Sequence, residues 1–309
     1  MKRPTGAAVY ATQVLETLEQ AGEVRLVGGQ ELATADVVLN IDGRFRAGRG
    51  QRVVTAVMDL GHLYARRAYR PPAWMRQNWR VASAARRSDH VLVPSAAVLS
   101  GLQRYLGVAA ERVTVFRPLP GPEFRRPARA AIDQLRTRLG LPERYFLFVG
   151  VRSGRKNLGL LASSRALSAE SGSVNLVLAG PGKGGLPGAR DLGYVAQQDL
   201  PGLIAGAMAW LNPSHYEGSS IGALEAMACG TPVLVAATGA QAKDVGMSGL
   251  VLPPADPQSW AEALSAVAAD RNLRGRLAAA GLRRVAELRA SAPPTSALLE
   301  ALWPAHASA

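Results

Sequence analysis

A single cysteine among 309 residues leaves nothing for it to pair with inside the chain, which excludes a disulfide framework and a cysteine-rich zinc site. Cys229 lies in "AMACGTPV", between an apolar helical pattern and a strand pattern, where a small buried hydrophobe is expected instead of a nucleophile. Such cysteine usage fits a reducing cytoplasm. No stretch of about 18 apolar residues occurs, so no membrane span is expected. The opening "MKRPTGAAVYATQVLETLEQ" has no apolar segment before Gly6 and does not read as a secretory signal. There is no D-x-D element of the metal–nucleotide kind, and His62, His90, His215 and His306 are scattered, so no metal is expected. Lysine is scarce too: only Lys2, Lys156, Lys183 and Lys243 stand among the 36 basic residues.

What the chain has in quantity is apolar residues and arginine. A hydrophobic content of 48% over this length supports a globular protein of two ordinary domains or one large one. The formal net charge of +13 favours anionic partners: nucleotides, phospholipid surfaces or nucleic acid. No recognisable nucleic-acid module accompanies it, so nucleic acid is not expected among them.

Helix-like and strand-like pieces alternate. "AVYATQVLETLEQ" carries Val9, Val14, Leu15 and Leu18 at helical spacing and stops before Gly22. "VRLVG", "DVVLNI" and "RVVTAVMDL" are short Val-rich runs of the kind buried in parallel sheets. "SDHVLVPSAAVLSGLQRYLG" reads as a strand, Ser95 as a helix N-cap, and a helix stopped by Gly107. "RVTVFRP" is a further strand. "RPLPGPEFRRPAR", with four prolines and no apolar periodicity, is the linker candidate. Beyond it the alternation resumes with "YFLFVG", "KNLGLLASSRALSA", "VNLVLAG", "DLPGLIAGA", "MAWLNPS", "TPVLVAA" and "GLVLPPAD", and closes on two long helical patterns from 257 to 290.

Such alternation on both sides of a linker predicts an α/β protein of two facing Rossmann-like domains. The expected division is an N-terminal domain over 1–120, a linker at 121–130, a C-terminal domain over 131–290, and a tail at 291–309 free to cross back onto the first domain. Open parallel sheets bind ligands beyond the carboxyl ends of their strands, so loops that follow strands are where function is sought.

One such loop is in "HYEGSSIGALEAMACGTPVL", residues 215–234. Its Gly218-Ser219-Ser220-Ile221-Gly222 spells G-x-S-x-G, the pattern of a hydrolase elbow with Ser220 as nucleophile. A strand should run straight into that turn, yet Pro213 and "SHYE" intervene, and the only histidine downstream is His306. The alternative takes Glu217 and Glu225 as a pair. Either glutamate alone reads as a cap or a solvated helix residue. Ser219 and Ser220 are suited to cap a helix, whose free amides and dipole attract anions. Carboxylates on either side of such a site would repel a phosphate but accept hydroxyls, which matches a nucleotide-sugar: sugar hydroxyls on one flank of the diphosphate, ribose hydroxyls on the other.

The complementary piece is "VGVRSGRKNLGLL", residues 149–161. Here a strand delivers Arg152, Arg155 and Lys156 into a loop before a helix, supplying guanidinium forks and a point charge for phosphate oxygens. As a lone feature it reads equally as an exposed basic loop. Gly180, Gly182 and Gly185 fit G-x-G-x-x-G literally, but Pro181, Pro187 and Gly188 forbid the helix that a dinucleotide fingerprint requires.

Together these segments, "FVGVRSGRKNLGLL", "VNLVLAGPG" and "RDLGYVAQQDLPGLIAGAMAWLNPSHYEGSSIGALEAMACGTPVLVA", resemble the donor domain of family-4 retaining glycosyltransferases with the GT-B fold over roughly residues 145–270. The E-x7-E element followed by "LEAMACGTPV" is the specific part. The resemblance implies that Arg155 and Lys156 bind the donor diphosphate, that Glu217 touches the transferred sugar and that Glu225 holds the ribose. It further implies that amides from Ser219 to Ile221 take the phosphates, with Gly150, Arg152 and Gly218 beside them. The catalytic set implied is Arg155, Lys156 and Glu217.

In the N-terminal half, "RPTGAAVYATQVLETL" resembles the family's glycine loop and first helix, and "VTAVMDLGHL" its strand-end His-Asp-Leu element. That implies acceptor-side roles for Gly6, Asp59 and His62. The sequence starts inside the glycine loop, so an N-terminal domain shortened by its first strand is expected. Ala8 replaces the loop's second glycine, Met58 replaces a histidine, and Ser219-Ser220 replaces the usual Phe-Gly.

The function this implies is transfer of a sugar from a UDP-, GDP- or other nucleotide-sugar donor to an acceptor that is a saccharide, a lipid-linked group or a protein. Retention of configuration, no cofactor and no metal are expected. Met58 and the shortened start motivate an alternative, a degenerate relative that binds nucleotide or a partner without turnover. The segment 64–87, with seven arginines and four aromatics, could touch anionic lipid at the inner face of the membrane. It reads otherwise as a solvated basic helix.

Overall fold

The computed structural model describes residues 6–20, 34–41, 45, 47, 50–69, 71–167, 173–182 and 185–304. The strand expected at "VRLVG", and with it Lys2, Lys183 and His306, lies outside the described residues. Two compact units divide the chain, one reaching to Pro118 and resuming at Ser291, the other formed by Leu119–Ala290.

The first unit begins with helix α1 (Gly6–Gln20), strands β1 (Val37–Asn40) and β2 (Arg52–Ala56), and helices α2 (Gly61–Tyr64) and α3 (Pro71–Arg87). Strand β3 (His90–Val93), helix α4 (Ala96–Gly101) and strand β4 (Val113–Val115) follow. The described strands form one parallel sheet in the order β1-β2-β3-β4. Helix α1 buries Tyr10, Val14 and Leu18, one residue per turn, against Val54, Ala56 and Leu92 of the sheet. Tyr10 takes the inward position next to Val9 because its ring meets Phe116 edge-on at 5.8 Å. The last helix, Thr295–Leu302, adds Leu298 and Leu302 to the same cluster.

Ser95 caps α4 as its sequence position foretells, its hydroxyl accepting from Val98 N at 3.3 Å. A π-turn over Leu102–Leu106 then ends at Gly107, which is left-handed at φ 63°. The carbonyl end of α3 is closed from a distance. Arg112 donates to the carbonyls of Ala85, Arg86 and Ser88, groups left without intrahelical partners at a helix end.

The second unit runs α5 (Arg129–Leu139), β5 (Tyr145–Val149), α6 (Leu158–Ala166), β6 (Asn175–Ala179), β7 (Ala189–Asp191), α7 (Leu200–Ala205) and β8 (Ala209–Asn212). It continues with α8 (Ile221–Ala228), β9 (Val233–Ala236), α9 (Gly239–Val245), β10 (Leu250–Leu252), α10 (Pro257–Ala269) and α11 (Arg271–Ala290). Helices α5 and α9 and the short strand β7 have no counterpart in the sequence reading. The strand and Gly239–Val245 are short, and α5 follows directly on the proline-rich stretch. That stretch is not free in space: Phe124 is buried in the core of this unit, and Arg289 donates to Pro120 O at 2.9 Å.

All six strands are parallel, in the order β10-β9-β8-β5-β6-β7. Alternate residues go to opposite faces of the sheet. Tyr145, Leu147, Val177, Trp210, Val233 and Val235 pack into one cluster, while Phe146, Phe148, Leu176, Leu211, Leu234 and Ala236 pack into the other. Burial on both faces is why these strands read as continuous apolar runs. Trp260 of α10 is fully buried, and its own indole N–H is satisfied by donating to Pro253 O at 2.9 Å.

The chain starts at β5 in the middle of this sheet, works outward through β6 and β7, then returns to β8 on the other side of β5. That reversal is the topological switch point, where loops leaving adjacent strands diverge and open a crevice. The two loops concerned follow β5 and β8.

Candidate functional site

The loop after β5 carries the basic residues. Gly150 at φ 159° turns the chain out of the strand; a Cβ there would sit 3.2 Å from the Phe148 ring. A short 3-10 turn, Gly154–Lys156, presents Arg155 and Lys156, and Asn157 in the left-handed region (φ 51°) redirects the chain into α6. Asparagine tolerates that region better than most residues. Its amide also works: Nδ2 donates to Pro213 O at 3.1 Å and to Pro254 O at 2.9 Å, tying three loops together. His215 N donates to Arg155 O at 2.9 Å, which fastens the β5 loop to the β8 loop a second time.

The loop after β8 brings Glu217 to this pair. Lys156 Nζ donates to Glu217 Oε1 at 2.5 Å, Arg155 Nη1 to Oε2 at 3.1 Å and Asn212 Nδ2 to Oε1 at 3.2 Å. Arg155 Nη1 also donates to the carbonyl of Tyr216. Asn212 is oriented by Ser214, whose hydroxyl donates to Asn212 Oδ1 at 2.5 Å. The backbone of Glu217 is held too: its carbonyl accepts from Ala240 N at 2.8 Å, and Gly239, at φ +55°, approaches so closely that a Cβ would lie 2.2 Å from that oxygen.

Glu217 is 8% exposed. Burial raises its pKa, but the charges of Lys156 and Arg155 and the hydrogen bond from Lys156 outweigh that and hold the carboxyl at about 2. A carboxylate offers about four acceptor positions. Three are taken by protein donors, so Glu217 has room for one further hydroxyl. Two cations facing one anion leave a local excess of one positive charge, and Lys156 keeps N–H groups beyond the one given to Glu217. This geometry suits an incoming anion beside a hydroxyl-bearing group.

Helix α8 begins next to it. Ser220 occupies the N-cap position, but at φ −99°, ψ 21° its hydroxyl does not return to the helix amides as an extended cap residue's would. The buried Ser220 Oγ has no hydrogen-bond partner. The capping expected of Ser220 is therefore corrected: the helix start is left open on its side chain. Gly218 is buried and Ser219 half-buried in the same turn, with Ile221 the first helical residue. Gly222 lets α8 close on the sheet, since a Cβ there would be 2.9 Å from the Trp210 ring. Glu225 is buried in the second turn. Its charge adds to burial in pushing the Cys229 thiol up to about 12, which fits the inert role expected of that cysteine.

The hydrolase reading of Ser220 fails on this geometry. Strand β8 ends at Asn212, eight residues before Ser220, and no base contacts the hydroxyl among the described residues. Arg152 is not drawn into the Glu217 cluster. It donates to Asp191 Oδ1 and to Gly182 O, each at 2.6 Å, and so fastens the β5 loop to the β6 and β7 loops. Among the described residues no three His, Cys, Asp or Glu side chains group as a metal site requires.

The three residues singled out in the first unit sit as follows. Gly6 is the first residue of α1. Asp59 accepts from Gly61 N at 2.8 Å at the start of α2. His62 is buried, with no hydrogen-bond partner at Nε2. Burial lowers its pKa more than Asp59 and Asn78 raise it, which favours the neutral imidazole. Asn157, Asn212 and Ser214 were missed by sequence reasoning. Only Asn157 left a trace there, as an asparagine at the junction of a loop and a helix.

Residues 143–270 match the family described as Glycosyl transferases group 1. The chain is 37% identical over 127 residues to the O-antigen chain mannosyltransferase B of Escherichia coli, covering 36% of this chain and 33% of that protein. It is 33% identical over 202 residues to the D-inositol 3-phosphate glycosyltransferase of Saccharomonospora viridis, covering 63% and 43% respectively. The chain thus spans less than half the length of these curated relatives. Among solved structures, Anabaena HepE in complex with UDP-glucose superposes with a TM-score of 0.75 over 100% of this chain and 98% of that one, at 16% identity. Sucrose-phosphate synthase from Thermosynechococcus elongatus gives 0.71 over 99% and 81%, at 20% identity. The two parallel-sheet α/β units and the GT-B fold expected from the sequence are both borne out.

Proposed function

We propose that the protein is a glycosyltransferase acting on a nucleotide-diphosphate sugar, a reading supported by the match of residues 143–270 to the family described as Glycosyl transferases group 1. The observation that carries this reading is the convergence of Arg155, Lys156 and Glu217 at the switch point of the six-stranded sheet. When the glycosidic bond to the donor breaks, negative charge develops on the leaving diphosphate. Arg155, Lys156 and the open amides of α8 neutralise it without reorganising, because Glu217 and Tyr216 already hold the guanidinium in place. Glu217 keeps one acceptor position for a sugar hydroxyl, and Glu225 takes the ribose. Retention of configuration follows from the family resemblance. No metal is needed in this scheme, since two fixed cations stand where a divalent ion would otherwise neutralise the diphosphate.

The UDP-glucose complex of HepE makes UDP-sugars the first donors to try, and the similarity to a D-inositol 3-phosphate glycosyltransferase makes polyol phosphates acceptors to try. The proposed setting is the cytoplasm, at the inner face of the membrane. The test is calorimetry against UDP-, GDP-, ADP- and TDP-sugars, followed by turnover of the donor that binds, with and without a chelator. Micromolar binding with chelator-resistant turnover is expected. Binding with no turnover for any acceptor would establish the degenerate binder instead, and absence of binding to all four donors would overturn the reading.

A further inference from the structure

A second surface, in the first unit and independent of the donor site, carries a different chemistry. Helix α3 buries Val81, Ala82, Ala84 and Ala85 on one side. On the other side Pro72, Met75, Arg76 and Trp79 are exposed, spaced three and four apart, with Arg86 further along. Met75 is 59% and Trp79 70% exposed, whereas Trp210 and Trp260 are buried. Two large apolar side chains one turn apart in water are not accounted for by packing, and the helix buries its opposite side.

The charged residues of their own segment are all cationic. No acidic residue occurs between Asp59 and Asp89. Arg66 stacks its guanidinium on the Trp74 ring at 4.2 Å, and Arg67 is exposed beside it. Alongside, Tyr64 and Tyr105 meet edge-on at 5.3 Å, both part-exposed, with Arg104 over the Tyr105 ring at 5.4 Å. Aromatic residues half in water, arginines and no carboxylates are the composition that side chains adopt at a bilayer interface.

We propose that the outer face of α3, with Met75 and Trp79 as the inserting side chains and Arg67 and Arg76 as phosphate contacts, docks the protein on an anionic phospholipid surface. A helix face is convex and gives a soluble anion no enclosure. A bilayer supplies its own, taking Trp79 and Met75 into the headgroup boundary while the arginines meet the lipid phosphates. Net positive charge elsewhere on the protein would assist approach but would not seat it.

The test is flotation of the whole protein with phosphatidylcholine vesicles, with and without phosphatidylglycerol, in low and high salt. Binding is expected only with phosphatidylglycerol, weakening with salt. Arg67→Glu/Arg76→Glu should lower apparent affinity at least tenfold, each basic residue near the surface contributing roughly fivefold. Met75→Ser/Trp79→Ser should lower it comparably and abolish the blue shift of tryptophan fluorescence on binding. Arg271→Glu/Arg283→Glu, an equal charge change at exposed positions of α11, should leave binding within about twofold of the parent. If that control weakens binding as much, or if the Met75/Trp79 variant binds like the parent, the protein is merely adsorbed by net charge and the proposal falls. Failure to float with any vesicle, while a soluble sulfated polysaccharide binds with the same variant dependence, would also overturn it.

Discussion

Lys156 Nζ and Glu217 Oε1 lie 2.5 Å apart, although 61 residues separate them along the chain. Their side chains are only 15% and 10% exposed, so the pair is screened little by solvent. Removing either partner leaves an uncompensated charge in a half-dry crevice. Glu217→Gln is expected to destabilise the protein by roughly 3 kcal/mol, Lys156→Ala by somewhat less because Arg155 still serves the carboxylate. The double variant should be less destabilised than the sum, by about 1–2 kcal/mol, in a denaturant-melt cycle. Strict additivity would mean that the contact carries no coupling.

Acid should reveal the same pair. The Glu217 carboxyl titrates at about 2 in the folded protein, below its ordinary value of 4.5. A folded-state pKa lowered in this way contributes stability in full above pH 4.5, and that contribution is lost as pH falls from there toward 2. The urea midpoint of the wild type should therefore drop across this window more steeply than that of Glu217→Gln. Parallel curves would remove Glu217 from the account.

The ribose role proposed for Glu225 predicts that it contributes to binding of the nucleoside and not of the phosphates. Loss of a hydroxyl bond to a carboxylate costs about 1.5–3 kcal/mol. Glu225→Ala should weaken binding of the nucleoside diphosphate by that amount in calorimetry while leaving inorganic pyrophosphate affinity unchanged. An equal loss for both ligands would mean that the substitution disturbs α8 itself.

Asn157 is expected to position the basic loop without touching the donor. Asn157→Gly keeps the left-handed backbone but forfeits the two bonds to Pro213 and Pro254. Asn157→Ala loses both the bonds and the conformational fit, at about 1–2 kcal/mol more. Thermal stability should fall in the order Asn, Gly, Ala, and the donor KM should rise in the same order with kcat changed less. A kcat effect alone would place Asn157 in contact with the reacting groups.

The candidate site was legible to different depths at different residues. Glu217 and Glu225 stand in one loop and the helix that follows it, so their spacing fixes their relation locally, and sequence could read it. Arg155 and Lys156 were readable as a basic loop after a strand. Their union with Glu217 was not derivable from the pattern, because it depends on β8 returning beside β5. Arg152 looked equivalent to Arg155 in sequence, three residues away, yet it turns to Asp191 and Gly182. Ser220 looked like a cap and is not one, because the cap geometry depends on how Gly218 and Ser219 enter the helix.

By itself the sequence determined the alternation of helices and strands, the two-sided burial of the Val- and Leu-rich strands and the break at the proline-rich stretch. Periods of two and 3.6 residues are local consequences of backbone geometry. Tertiary structure alone decided the order of the six strands, the partner chosen by each arginine, and which face of α3 was left to solvent. Those choices rest on contacts between residues tens of positions apart, whose free energy depends on packing and desolvation in a space that no local pattern encodes.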